Sequence, residues 1–371
     1  MREIDADYRK TSNRVGVIGG LMREVVLTRY GPNAAVLASR PITSTAPGNG
    51  QVRVRVGAFA LNPVDIKVQR GEPQMILPFR PPFVPGVDFA GTIDAVGSDV
   101  TNHSVGDRVF GYLGMDRMGA FAQMANVPAD RLARTPLNLD DAEASTVPLP
   151  ALTAVQALRA SSVGSGARLI VLGTGGAVGR SVIQLAASRG VEVIGMASAR
   201  SLDQARQDGA AHVFEYGVEA MPTVVRDVDA VIDTVGGSVI ESTWRMMRRG
   251  AKLVSLHIPP DPATIRRAGL VAGILVRIVM PLVSYRARHS AARADVTVVP
   301  LLALPSVPDL EEVTRHIEGG TLRPPTATTF AFDDYRDAYE AMATRMRATA
   351  VGRGSSGLSK PPYSRIVVLG R

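Results

Sequence analysis

The chain contains no cysteine, and this absence excludes several kinds of functional site. Disulfide bonds, thiolate nucleophiles and zinc sites with a sulfur ligand all require that residue. Histidine is scarce as well. The five histidines lack the spacing of metal ligands and stand at His103, His212, His257, His289 and His316. We therefore expect no metal site.

Long hydrophobic runs are also rare. Ala268–Tyr285 is apolar over about the length of a membrane span, but Arg277 and Pro281 interrupt it. Because a charged side chain inside a bilayer is costly, a buried or interfacial helix explains this run better than a spanning one. Residues 1–21 carry three acids, which is unlike a secretory signal. We expect a cytoplasmic protein in which residues 1–21 form a disordered leader.

Lysine supplies only four of the 42 basic residues, and the net charge of +8 is unevenly distributed. Basic side chains concentrate in residues 262–294 and 345–371, two stretches without a single acid. No aromatic residues alternate with them, as single-stranded nucleic acid binding would require. We therefore expect no nucleic acid partner. With 371 residues, 46% of them hydrophobic, the sequence predicts a globular α/β protein of about two domains.

Two patterns divide the chain. From Met22 to about residue 135, short alternating runs such as Gln51–Ala60 are separated by proline and glycine, which predicts an antiparallel β-barrel. One helix is expected over Asp140–Ala160. Strands and helices then alternate from Arg168 to His257, and this predicts a parallel, doubly wound sheet. A last strand is expected at Arg365–Leu369.

The most informative segment is RLIVLGTGGAVGRSVIQLA, in which a buried strand is followed by four glycines and then a helix. The first glycine allows a tight turn, the middle pair lets a diphosphate approach the backbone, and the last lets the helix pack on the strand. The start of the helix offers free N–H groups to an anion. The predicted cofactor-binding positions in this loop are Gly173, Gly175, Gly176, Ala177, Val178 and Gly179.

The second strand of this unit distinguishes between cofactors. Sites for NAD usually place an acid there, about 20 residues beyond the loop, to hold the ribose hydroxyls. Val193–Leu202 contains no acid, and Ser198 and Arg200 stand in its place. An arginine can give the 2′-phosphate a charge-assisted hydrogen bond of about 1.5–3 kcal/mol, so we predict NADP(H). The alternative is that Arg200 is a solvated residue at the start of a helix.

Several further motifs occur in a fixed order along the chain. They are LNPVDIK (61–67), PFVPGVDFAGTIDAVG (82–97), GDRVFGY (106–112), GAFAQ (119–123), EASTVPLPALTAVQAL (143–158), VIDTVGG (231–237) and RGAKLVSL (249–256). Together with the glycine loop, they resemble the zinc-free quinone oxidoreductase and enoyl reductase branch of the medium-chain dehydrogenase/reductase superfamily. The resemblance extends from about Met22 to Ala343 and includes the last strand.

This resemblance implies two domains with the active site in the cleft between them. A GroES-like catalytic domain would comprise residues 22–144 and 302–371, and a Rossmann NADP-binding domain residues 145–301. The resemblance also implies a homodimer. Zinc-dependent relatives carry cysteine and a Gly-His-Glu motif where this chain has GVD at 86–88. A valine cannot bind a metal, so zinc chemistry is not expected.

The resemblance also implies roles for individual residues. Asn62 would lie beside the nicotinamide and the substrate. Asp65 and Lys67 would orient Asn62 or close the cleft, with a structural salt link as the alternative. The expected cofactor contacts outside the glycine loop and its second strand are Thr153 and the segment Leu256–His257 at the nicotinamide, and Tyr216 near the adenosine phosphate. His257 could instead be a proton donor or an ordinary polar residue at the end of a strand.

These expectations lead to one predicted reaction and two alternatives. Without a Lewis acid, an unactivated ketone is difficult to reduce, whereas a quinone or conjugated carbonyl spreads the developing charge over an enolate or phenolate. We predict an NADPH-dependent reductase of quinones or α,β-unsaturated carbonyls. The alternatives are a dedicated enoyl reductase of a biosynthetic pathway and an NADPH-binding sensor or scaffold with little turnover. The apolar, basic segment 262–294 would wall the cleft, bury a dimer face or touch a membrane.

Overall fold

The first part of the chain and its last two strands build one barrel-like sheet. The computed structural model describes residues 22–42, 45–74, 76–216, 225–237, 239–274, 278, 285, 288–351 and 364–370, without the side chains of 241–242 and 348–351. The predicted leader, residues 1–21, lies outside these described residues. The strands of this part are β1 (Arg23–Leu27), β2 (Leu37–Pro41), β3 (Gln51–Ala60), β4 (Asp88–Val96), β5 (Arg108–Tyr112), β6 (Met124–Pro128), β7 (Leu132–Arg134), β14 (Ala327–Phe330) and β15 (Arg365–Leu369).

Pairing within this sheet brings the end of the chain to its centre. The strand order is β14-β15-β3-β4-β5-β7, β6 also pairs with β3, and β1 and β2 form a separate hairpin. Strand β15 runs antiparallel to β3, with Val367 opposite Ala60. Alternate residues of β3 are buried, as expected for a strand with one face on a core. The last strand therefore belongs to the barrel.

The middle of the chain forms a second sheet, which is parallel throughout. Its strands are β8 (Arg168–Leu172), β9 (Glu192–Ala197), β10 (His212–Glu215), β11 (Val228–Asp233), β12 (Met247–Ser255) and β13 (Thr297–Pro300). They lie in the order β10-β9-β8-β11-β12-β13, so the order reverses between β8 and β11. In open sheets of this kind, ligands bind at the carboxyl edge near the reversal. The predicted doubly wound sheet is confirmed.

Helices flank the sheets and link them. The described helices are α1 (Pro63–Arg70), α2 (Asp141–Ser145), α3 (Pro148–Ser161), α4 (Ala177–Ser188), α5 (Leu202–Gln207), α6 (Val239–Thr243), α7 (Pro262–Arg267), α8 (Val307–Glu318) and α9 (Tyr335–Val351). Helix α3 packs against α4 and β12 and also against β4 and β5 of the barrel. It therefore joins the two sheets. Within the described ranges, no helix has the length and apolar character needed to cross a bilayer.

The single helix predicted over Asp140–Ala160 is two helices. An N-terminal capping box between Asp140 and Glu143 starts the first, which ends at Ser145. Pro148 then occupies the first turn of the second. Proline has no N–H to continue a helix but fits the start of one, and the chain therefore restarts there. The predicted domain boundary between residues 144 and 145 falls at the end of the first helix, just before this interruption, and, like the one at 301/302, stays a prediction.

Candidate active site

A cradle for an anion lies where β8 meets α4. Gly173 ends the strand with a φ of +92°, a conformation that favours glycine. A Cβ on Gly179 would lie 2.3 Å from the Gly173 carbonyl oxygen, so only glycine lets this helix approach the loop so closely. Gly176 is the N-cap of α4, and no side chain caps that end. The N–H groups of Ala177 and Val178 thus begin an uncapped helix, as the sequence predicted.

The turn after β9 lies against this cradle. A Cβ on Gly175 would be only 2.4 Å from the hydroxyl of buried Ser201. Ser198 is the residue after β9, with its Oγ 3.5 Å from the Ser201 Oγ, and Arg200 is exposed in the same turn. The structure therefore brings the two predicted discriminating residues beside the glycine loop.

Tyr216 adds a polar group to the same place. Its hydroxyl is buried, close to Gly173, and has no hydrogen-bond partner among the described residues. Burial raises the pKa of this phenol, and the nearby Gly173 N–H only partly opposes the rise. A buried hydroxyl without a partner is a group that a ligand oxygen would satisfy. Together with the uncapped helix and the close-packed glycines, it fits the diphosphate of a nicotinamide dinucleotide.

Two loops at the carboxyl edge are held together by a residue that the sequence analysis did not single out. Asp233 ends β11 fully buried, and its Oδ1 accepts from the N–H groups of Val235 (3.0 Å) and Gly236 (2.8 Å). Its Oδ2 accepts from Ser255 Oγ at 2.7 Å. Ser255 Oγ in turn accepts from the N–H of His257 at 3.1 Å. The sequence signal that could have identified Asp233 is its place within VIDTVGG, three residues before a Gly pair.

The predicted pair Leu256 and His257 lies on these loops. The Leu256 N–H donates to the Asp233 carbonyl at 3.0 Å. His257 is exposed, and its Nε2 donates to the Thr234 carbonyl at 3.1 Å. Its Cβ is 2.8 Å from where a Cβ on Gly236 would stand, so the ring covers this glycine. The imidazole is therefore fixed at the edge of the site beside the cradle.

The predicted catalytic residues lie at the start of α1 on the barrel. Asn62 is the N-cap, and its N–H donates to Asp65 Oδ2 at 2.7 Å, so Asp65 contacts the residue that it is predicted to orient. The Asn62 side chain is only 1% exposed, because Asp88 and Arg365 bind its carboxamide inside the barrel. Lys67 is half-buried, and its ammonium has no partner within the described part of the chain. Contact of these side chains with substrate stays a prediction.

Burial dominates the electrostatics of this cluster. Desolvation raises the pKa of Asp65 to about 8, although its hydrogen bond with Asn62 opposes the rise. Desolvation likewise raises the pKa of Asp88 to about 7, against the favourable charge of Arg365. Asp65 Oδ1 and Arg365 Nε are buried without partners among the described residues. Sequence reasoning missed Arg365, because no local pattern links residue 365 to residues 62 and 88.

Thr153 lies between the barrel and the parallel sheet. It is buried in α3, and its hydroxyl donates to the Leu149 carbonyl at 2.6 Å. The Leu149 N–H donates to Asp88 Oδ1 at 3.0 Å. The first turn of α3 is therefore bonded to the same carboxylate that binds Asn62. Asp88 thus links the two predicted residues, Asn62 on the barrel and Thr153 on α3.

Part of the segment 262–294 crosses from the parallel sheet to the barrel. After α7, the Val271 N–H donates to the Ile76 carbonyl at 2.8 Å. Gly269 turns with a φ of +70° directly against Asp116 of the barrel. Val271 and Ile274 leave 46% and 77% of their surface exposed. The role of this segment as a wall of the cleft, a dimer face or a membrane contact stays a prediction, and its residues 275–277, 279–284 and 286–287 lie outside the described part.

The residues present do not fit a zinc ion. The sequence has no cysteine, and no group of three or more His, Asp or Glu in the described ranges could hold a metal. Val87, the residue before Asp88, is fully buried in the barrel core. An apolar side chain at this point offers no donor atom, so no step of the reaction is assigned to a metal.

Two protein-family models match this chain. Residues 48–137 match the alcohol dehydrogenase GroES-like domain, and residues 209–348 match the zinc-binding dehydrogenase family. The chain is 28% identical to the chloroplast envelope quinone oxidoreductase homolog of Arabidopsis thaliana, over 66% of this chain and 77% of the relative. It is 30% identical to 2-haloacrylate reductase from a Burkholderia species, over 62% of this chain and 70% of the relative.

A solved structure has the same fold over nearly the whole chain. The quinone oxidoreductase from Coxiella burnetii superposes with a TM-score of 0.74 and 24% identity, covering 95% of this chain and all of the other. This agreement confirms the predicted combination of a GroES-like domain with a Rossmann-type sheet.

Proposed function

This chain belongs to the quinone-oxidoreductase branch of the medium-chain dehydrogenase/reductase superfamily, and we propose that it is an NADPH-dependent, zinc-independent reductase of quinones or α,β-unsaturated carbonyls. The observation that carries the proposal is the uncapped glycine cradle with the buried Tyr216 hydroxyl beside it, in a protein whose described residues include no zinc donor set. We include in the proposal a cytoplasmic homodimer, which light scattering of the purified protein would test.

The proposed cofactor follows from charge. NADPH, when bound, supplies the hydride. The loop residues from Gly173 to Gly179 would hold its diphosphate, with Tyr216 completing the hydrogen bonds. Ser198 and Arg200 would hold the 2′-phosphate, since both lie in the turn that packs on the loop. A guanidinium suits phosphate because its planar array of donors matches the phosphate oxygens.

The proposed substrate class follows from the missing Lewis acid. A conjugated carbonyl or quinone delocalises the charge that hydride addition creates, so hydrogen-bond donors suffice to stabilise it. The apolar Val271 and Ile274 would contact the body of such a substrate. The relatives named quinone oxidoreductase and 2-haloacrylate reductase support this class, because both names denote conjugated substrates.

The three proposed catalytic residues differ in what they are free to do. The Asp65 carboxylate accepts a hydrogen bond from the Asn62 N–H, and the Asn62 carboxamide is hydrogen-bonded to Asp88 and Arg365. The Lys67 ammonium is unpaired within the described ranges. We therefore assign Lys67 to the developing negative oxygen and give Asn62 and Asp65 the task of fixing the start of α1.

The first test is turnover. Purified protein is given NADPH with a panel of small quinones and conjugated enones, and NADH in parallel. NADPH-selective turnover that Lys67→Met lowers and Lys67→Arg largely retains would support the proposal. NADPH binding without turnover of any panel member would contradict it and favour a sensor or scaffold.

The cofactor assignment has its own test. Arg200→Glu replaces a proposed phosphate partner with a repelling charge, so the Kd for NADPH should rise about 10- to 100-fold while the Kd for NADH changes little. Arg206→Glu is the matched control. Arg206 is an exposed arginine on the helix that follows this turn, and it pairs with Asp203. Equal effects of Arg200→Glu on the two cofactors would contradict the phosphate assignment.

The exposed apolar side chains of Val271 and Ile274 favour one alternative, a dedicated enoyl reductase with a large apolar substrate. Such an enzyme would turn over long-chain enones much faster than small ones. Replacing Ile274 with Ser would then raise the KM for long-chain substrates selectively, whereas a general quinone reductase would show no dependence on chain length.

A further inference from the structure

The Asn62 carboxamide is held between two charges from distant parts of the chain. Its Nδ2 donates to Asp88 Oδ2 at 2.9 Å, and its Oδ1 accepts from Arg365 Nη2 at 2.7 Å. Arg365 Nη2 is also 3.4 Å from Asp88 Oδ2. An amide has a donor end and an acceptor end, so an anion on one side and a cation on the other permit only one orientation.

Asp88 extends this arrangement to the second helix of the site. Its Oδ1 accepts from the Leu149 N–H, and the Leu149 carbonyl accepts from Thr153. Asp88 is fully buried, and the Arg365 side chain is 10% exposed. A buried carboxylate without its counter-charge takes up a proton, which weakens its role as an acceptor. The guanidinium thus maintains the hydrogen bonds to both α1 and α3.

We propose that Arg365 is a positioning residue for the reaction: it fixes the Asn62 carboxamide and the Asp88 carboxylate, so that α1 and α3 present Lys67 and Thr153 to the cleft in a constant arrangement. This inference rests on the proposed function. The proposal also explains how β15 contributes to the site: this strand carries Arg365, the one cation in the described ranges that hydrogen-bonds with Asn62.

The same arrangement predicts a pH signature. Desolvation raises the pKa of Asp88 to about 7, and loss of the Arg365 charge would raise it further. Wild-type turnover should therefore fall as the pH drops through about 7, and the variant should show this fall at higher pH. The titratable groups that interact electrostatically with Asp88 are Asp65 on α1, Tyr112 on β5 and Arg365 on β15, whereas Tyr339 on α9 interacts with Asp65 and Arg345 on α9 interacts with Arg365.

The experiment compares Arg365→Met and Arg365→Lys with a matched control, Arg345→Met. Arg345 donates to the Ser364 carbonyl and hydroxyl, so it anchors the same strand one residue earlier and bonds with neither Asn62 nor Asp88. We expect Arg365→Met to lower kcat about 100-fold, as for a small misplacement of reacting groups. Arg365→Lys should restore most of the loss, and the Kd for NADPH should change less than threefold in all three variants.

A spectroscopic readout makes the result independent of turnover. The chain has only seven asparagines, so selective ¹⁵N-asparagine labelling gives few side-chain amide signals, and Asn62→Gln identifies the one from Asn62. In the wild type this signal should titrate with a midpoint near pH 7. The midpoint should rise in Arg365→Met and stay in place in Arg345→Met.

The outcomes separate the two proposals. A wild type without turnover contradicts the proposed function, whereas an Asn62 signal with the same midpoint in wild type and Arg365→Met overturns the positioning role by itself. Equal losses of kcat in Arg365→Met and Arg345→Met would overturn it too, because any anchor of β15 would then suffice.

If Arg365→Met does not fold, the double variant Asp88→Asn/Arg365→Met removes both charges. We expect it to fold, with low kcat and a flat pH profile, and a wild-type kcat would overturn the proposal.

Discussion

Two fully buried aspartates organise the two sides of the candidate site in different ways. Asp233 is satisfied by neutral donors close by, namely the N–H groups two and three residues ahead and the Ser255 hydroxyl on the adjacent strand. Asp88 depends on groups from other parts of the chain, including the Leu149 N–H and the Arg365 guanidinium. The first is a local cap on a loop, and the second is a long-range junction.

The difference explains where charge is costly in this molecule. Several short hydrogen bonds from backbone N–H groups stabilise an ionised carboxylate strongly. At the barrel junction, two carboxylates, Asp65 and Asp88, share one nearby guanidinium. Burial therefore keeps their pKa values at about 8 and about 7. On the loop side of the candidate site, hydrogen bonds from neutral donors hold Asp233 in place. On the barrel side, the contacts depend on the charges of Asp65, Asp88 and Arg365, which a change of pH can alter.

Removing the local cap should have the largest effect on stability. Asp233→Ala leaves the N–H groups of Val235 and Gly236 and the Ser255 hydroxyl without their acceptor. Each unsatisfied buried group costs about 1–3 kcal/mol, so the loss of these three hydrogen bonds should lower the free energy of unfolding by roughly 3–9 kcal/mol. Urea unfolding measures this loss. Asp233→Asn is the control, since its amide oxygen still accepts from the two N–H groups. This variant should retain more than half of the unfolding free energy that Asp233→Ala loses. Equal losses in the two variants would show that the hydrogen bonds are not the cause.

The charge balance predicts the sign of a pH effect. Because burial raises the pKa of Asp65, the unfolded chain releases this proton near pH 4, whereas the folded protein keeps it up to about pH 8. Its contribution to stability is therefore present below pH 4 and is lost as the pH rises to 8. Asp65→Asn should gain stability relative to the wild type across this window, by at most about 1.4 kcal/mol per pH unit.

A control of opposite sign comes from the same protein. Hydrogen bonds from the Thr264 backbone N–H and other donors lower the pKa of Asp261, the N-cap of α7. Asp261→Asn should therefore lose stability relative to the wild type as the pH rises to about 4, and this loss should stay constant at higher pH. Thermal unfolding at a series of pH values follows both variants. Parallel profiles for Asp65→Asn and Asp261→Asn would rule out a raised pKa at Asp65.

The same contrast between local and long-range contacts decides what the sequence could predict. The glycine loop, the alternation of strands and helices, and the capping of α1 by Asp65 depend on residues within a few positions of each other, and their patterns are visible in the chain. The Arg365 contact joins residues 303 positions apart, and only the pairing of β15 with β3 creates it. The break at Pro148 was visible in the sequence, but the apolar run around it hid the boundary between α2 and α3.

A substitution of Ser255 has the smallest expected effect on stability, and it tests whether the Asp233 side of the candidate site is independent of the Asp88 side. Its hydroxyl donates to Asp233 and accepts from the N–H groups of His257 and Ile258, so it joins the two cofactor-side loops. Ser255→Ala should lower the free energy of unfolding by about 1–2 kcal/mol, because Asp233 keeps its two backbone donors. The Kd for NADPH should rise severalfold, since the loop carrying His257 loses its tether, while the pH profile of turnover stays that of the wild type. Urea unfolding measures the change in stability, and fluorescence titration with NADPH measures the change in Kd. A shifted pH profile would mean that the two sides of the candidate site are coupled rather than separately held.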